Sequence, residues 1–120
     1  MKDLRPVLDL TAALDRFDGD QELFLTLAAM FVERAEGILA IVQAALASQD
    51  FPRVIKEAHK LKGSTLEFCA DTAVNAIARL EAAARHPAAD DVAALGDRMQ
   101  EEVRKLMAAL QDIRESGFPS

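Results

Sequence analysis

The sequence predicts an all-α protein, an antiparallel up-down four-helix bundle with a short extra helix at its N-terminal end. Three observations carry that expectation. Apolar residues recur at spacings of three and four along most of the chain, the period of a helix with one buried face, and no alternating strand pattern stands out. Ala and Leu dominate while Trp and Tyr are absent, a composition that favours helix over sheet. Finally, capping and breaking residues divide the chain into amphipathic segments joined by short turns, for which an antiparallel bundle is the simplest packing.

The short first helix is expected after Asp9, whose carboxylate can cap it, and covers Leu10 to about Phe17 before Asp18-Gly19-Asp20 breaks it. Asp20 then caps a long second helix with an apolar stripe of Leu23, Leu27, Met30, Phe31, Ile38, Val42 and Ala45. Gly37 falls inside it, and close packing is the simple reason for a residue that costs a helix about 1 kcal/mol against Ala. Ser48-Gln49-Asp50 forms a turn. Asp50 caps the third helix, Pro52 is tolerated in its first turn, and the stripe is Phe51, Val54, Ala58, Leu61, Thr65 and Phe68. Asp71 is placed as the cap of a fourth helix with Ala73, Ile77, Leu80 and Ala84 inward, ended by His86-Pro87-Ala88. The fifth helix runs from about Asp90 to Ser116 on Val92, Leu95, Met99, Val103, Leu106, Leu110 and Ile113. Gly117 stops it, and 117–120 is expected to fray. The 120 residues read as one domain, ordered over about 8–116.

Bulk properties exclude several function classes. The net charge is −6, with no basic block to hold a nucleic-acid backbone. No run of about 18 apolar residues could span a membrane, and the N-terminal residues lack the apolar core of a signal peptide. The single Cys69 cannot form an internal disulfide. A cytoplasmic protein is expected. The five glycines are isolated and form no phosphate-cradling loop, so no ATP site and no autokinase activity are expected. His59, Cys69 and His86 match no metal-ligand spacing, and no cofactor is implied.

One residue sits oddly in a plain bundle. On a wheel of about 100° per residue, His59 lies roughly 140° from the centre of the third helix's apolar stripe and points outward. Around it on the same face are Ile55, Lys56, Lys62, Gly63 and Leu66. Imidazole is a competent nucleophile near neutral pH. An ammonium three residues away can attract phosphoryl oxygens. Gly63 removes a side chain beside the ring, and Ile55 and Leu66 offer apolar contact area to a partner. An incidental surface histidine with solvated lysines is the bland alternative.

The string Ala58-His59-Lys60-Leu61-Lys62-Gly63-Ser64 resembles the signature of histidine phosphotransfer (HPt) domains, written H-x-L-K-G-S. Leu8-Asp9-Leu10, Arg16-Phe17-Asp18-Gly19-Asp20, Glu33 and Glu36 after Phe31, Asp50, and Leu80-Glu81 extend the resemblance over nearly the whole chain. It implies a four-helix bundle that carries a phosphoryl group, on Nε2 of His59, between the aspartates of receiver domains. Lys62 matches the lysine that assists the phosphoryl group, and Gly63 the small residue that permits close approach. Glu81 matches the position whose polar side chain holds the imidazole Nδ1–H. The residues alone leave a second possibility for Glu81, a solvated carboxylate paired with Arg85. Implied partners are receiver domains of response regulators or a hybrid sensor histidine kinase, with Mg needed only in the receiver. A departure appears after Gly-Ser, where the family has a glycine before alanine and this chain has Cys69-Ala70. Cys69 either fills the turn or senses redox state. Two other functions compete: a helical adaptor that transfers nothing, and the phosphotransfer module of a chemotaxis-type kinase.

Overall fold

A computed structural model describes residue 4 and residues 6–119. Among these there are five helices and no strand: α1 (Leu10–Arg16), α2 (Gln21–Ala47), α3 (Phe51–Leu66), α4 (Asp71–Arg85) and α5 (Val92–Ser116). The caps explain most of the boundaries. Asp9, Asp20, Asp50 and Asp91 each accept a hydrogen bond from the backbone N–H three residues on, at 3.0–3.2 Å, satisfying a donor that the first helical turn leaves unpaired. The fourth helix departs from this pattern. Ala70, buried, occupies the cap position with no side-chain bond, and Asp71 is the first helical residue. There its charge still complements the helix dipole.

Helix α2 packs on α3 and α5, and α4 packs on α3 and α5, closing a four-helix ring in a molecule 47 Å long and 22 Å across. Its axis is filled by Leu39, Val54, Leu61, Ile77, Leu80, Met99, Leu106 and Leu110, all fully buried. One end is closed by phenylalanines. Phe24 and Phe68, at 0% and 1% exposure, meet edge-on at 5.5 Å between ring centroids, a favourable arrangement for aromatic quadrupoles. Phe17, at the end of α1, lies 5.9 Å from Phe24 and 6.1 Å from Phe68. Phe31 lies 5.4 Å from Phe68. Phe118 lies 5.5 Å from Phe24, so the tail expected to fray docks on this cluster as far as Phe118. Ser120 lies outside the described residues. Helix α1 is held at the same end by buried Leu8 and Ala13 and by the Asp9 N–H, which donates to the Cys69 carbonyl at 3.0 Å.

The buried face of α2 differs from the expected stripe. Leu23 and Met30 are 42% and 60% exposed, and Phe24, Ala28, Val32, Ala35 and Leu39 are buried instead. Helix α2 carries apolar side chains on nearly every face, so the period does not single out one stripe, and the aromatic cluster decides it by taking Phe24 inward. Close packing does not explain Gly37, where an added Cβ would meet nothing within 4 Å. It applies at Gly96 on α5, where an added Cβ would lie 2.6 Å from Leu46 Cδ1.

Candidate functional site

The outer face of α3 presents His59 with its side chain 70% exposed. Regular helix on both sides fixes its neighbours. Lys56 and Gly63 are exposed and Ile55 is half-buried, while Leu66 is 48% exposed. These α3 positions lie three, four or seven residues from His59, on the same side of the helix. An added Cβ at Gly63 would meet no atom within 4 Å, so the fold does not require a glycine there.

The other half of the site comes from α4. Ile77, Leu80 and Ala84 face the core. Glu81, one position past Leu80, is thereby set at the seam with α3, its side chain only 10% exposed. Three groups converge on its carboxylate. Lys62 Nζ donates to Oε1 at 2.9 Å, Arg85 Nη2 donates to Oε2 at 3.1 Å, and His59 Nδ1 lies 3.5 Å from Oε2. The last distance is at the outer edge of hydrogen-bond range, so the His59 contact is the loosest of the three. The Lys62 hydrogen bond holds the Glu81 pKa below the usual carboxylate range against the opposing effect of burial. Arg85 and the charges of Lys62 and His59 act in the same direction as the Lys62 bond.

Glu81 pairs with Arg85 but is nearly buried, not solvated, and it faces His59 at 3.5 Å. Sequence reasoning missed the cross-helix bond from Lys62, which period and spacing within a single helix do not reveal. It also missed Glu57, 3% exposed and covered by Lys60 Nζ at 2.9 Å.

Among the described residues the exposed large hydrophobic ones are Leu23, Met30 and Leu66. A groove of about 580 Å³ between α2 and α3 is lined by Leu27, Met30, Phe31, Gly37, Ser64 and Phe68 together with the charged Glu33, Arg34 and Glu67. A larger concavity of about 650 Å³, between α4 and α5, contains none of the expected site residues. Among the described residues no three His, Cys, Asp or Glu side chains gather to hold a metal ion, and no helix is long and apolar enough to cross a membrane.

Comparison with known proteins places this geometry in context. The model of the Hpt domain family matches residues 26–113, a span that contains all of α3 and α4 and with them His59, Lys62, Gly63, Glu81 and Arg85. Among solved structures the chain resembles histidine-containing phosphotransfer protein B from Pseudomonas aeruginosa PAO1. The TM-score is 0.82 at 24% identity, covering 92% of this chain and 96% of that one, a likeness of fold. No match is found among curated proteins.

Proposed function

Because the chain belongs to the Hpt domain family and is a histidine phosphotransfer protein of a phosphorelay, we propose that His59 is its phosphoryl carrier. On this reading His59 accepts the group from the aspartate of one receiver domain and passes it to another. The observation that carries the reading is an exposed imidazole on α3 backed by a nearly buried carboxylate, with Nδ1 as the ring nitrogen nearest Glu81. A carboxylate on that side favours the tautomer with hydrogen on Nδ1 and a lone pair on Nε2.

The chemistry follows from that tautomer. The Nε2 lone pair bonds to phosphorus as the bond from phosphorus to the receiver's aspartyl oxygen breaks, its electron pair returning to the aspartate. The ring becomes a phosphorylated imidazolium, and Glu81 offsets its positive charge. Lys62, one turn along α3, offsets charge on the phosphoryl oxygens. Ile55, Lys56, Gly63 and Leu66 form the surface that receives the partner, a response-regulator receiver or that of a hybrid sensor kinase in the cytoplasm. Any Mg belongs to that receiver.

The test is transfer of labelled phosphate from a phosphorylated receiver. The label on this protein should be acid-labile and alkali-stable, absent with ATP alone, and lost in His59→Gln. Full labelling of His59→Gln would overturn the assignment.

A further inference from the structure

We propose that Arg85 is a second cation for the phosphoryl group, stored on Glu81 while His59 is free and handed to the phosphoryl oxygens once His59 is modified. The proposal rests on the reading of His59 as phosphoryl carrier and adds a residue and a rearrangement to it.

Glu81 is one anion, yet it holds two permanent cations, Lys62 at 2.9 Å and Arg85 at 3.1 Å. Around a neutral His59 the cluster carries one surplus positive charge, in a chain whose net charge is −6. A surplus cation beside a nearly buried carboxylate contributes little once the nearer ammonium is in place. A phosphoryl group brings a charge of about −1.5 to −2. With the ring as imidazolium, cluster and phosphoryl group together then come to about zero. The surplus thus matches the incoming group, not the resting site.

Geometry points to Arg85 as the mobile partner. Arg85 and His59 Nδ1 approach the same oxygen, Glu81 Oε2, at 3.1 and 3.5 Å, so one carboxylate oxygen links the guanidinium to the ring. Its side chain is 55% exposed against 28% for Lys62, and it stems from the last turn of α4, free to swing outward. Its planar fork has donors in excess of the one bond to Glu81 and suits two phosphoryl oxygens at once. Departure of Arg85 leaves Oε2 to the Nδ1–H, tightening the loose 3.5 Å contact just when the ring becomes cationic. Glu81 then acts as a positioning residue that exchanges an arginine for the imidazolium.

The test uses the whole protein phosphorylated with phosphoramidate, a small-molecule donor that needs no partner. In the parent, the Arg85 side-chain NMR resonances should move on phosphorylation. By ³¹P NMR, the second ionisation of the phosphoryl group should titrate higher in Arg85→Gln than in the parent, by roughly half a unit, about a three-fold change in the ionisation constant. Arg85→Lys should restore most of the difference. Resonances of Arg85 that ignore phosphorylation, or identical ³¹P titrations in parent and Arg85→Gln, would overturn the handover alone. A parent that takes up no phosphate on His59 would overturn the carrier reading and the handover with it.

Discussion

Cys69 takes a left-handed backbone conformation, φ 52°, in the turn between α3 and α4, and its carbonyl receives the Asp9 N–H that ties down α1. A side chain with a Cβ is strained there by about 1–2 kcal/mol, a strain that the glycine implied by the family resemblance at this place would not carry. The half-buried thiol packs against the core. Removing the thiol in two ways separates backbone from packing. Cys69→Gly should be more stable than Cys69→Ala by about 1 kcal/mol, read from urea denaturation, and equal stabilities would show that the turn relaxes without strain. Much of the residue-scale chemistry was legible before the fold. The outward placement of His59 and the adjacency of Lys62 follow from helical spacing alone. The second bond of Lys62, to Glu81, was not legible, because it depends on the register of α3 against α4.

At the scale of the helices, Gly37 and Gly63 make a matched pair. Each sits inside a helix with open space where a Cβ would go, and each should give up about 0.5–1 kcal/mol of helix stability against a better helix former. Gly37→Ala and Gly63→Gln are therefore both expected to hold or raise the melting temperature. Transfer from a receiver should slow in Gly63→Gln, whose new side chain stands beside His59. Unchanged transfer in that variant would reduce Gly63 to a position of no consequence for docking. The start of each helix was readable where an aspartate caps it, as at Asp9, Asp20 and Asp50, and misread where buried Ala70 takes the cap position in place of Asp71. The inward face of α2 was the least legible feature. Leu23 and Phe24 are adjacent and both apolar, and only the assembled aromatic cluster distinguishes them.

For the molecule as a whole, the knot of charge at Glu81 joins α3 to α4 and links stability to acidity. Its folded pKa is depressed, so its contribution is complete above the unfolded carboxylate value and is lost as pH falls through the folded one. The stability gap between the parent and Glu81→Gln should be constant near neutrality and shrink in acid, below the usual carboxylate range. A gap that does not change with pH in urea denaturation would mean that Lys62 and Arg85 add nothing through that charge. The bundle is a narrow rod, 22 Å across, with its proposed nucleophile on one flank. A donor and an acceptor that both need that flank cannot be bound to it together, so each must leave before the other arrives. With His59 as the proposed carrier, relay through such a rod should be a ping-pong process: double-reciprocal plots at different acceptor concentrations are expected to run parallel, and an excess of idle acceptor to slow phosphoryl entry by competing with the donor. A partner that binds this flank too tightly would then block the relay as effectively as one that fails to bind.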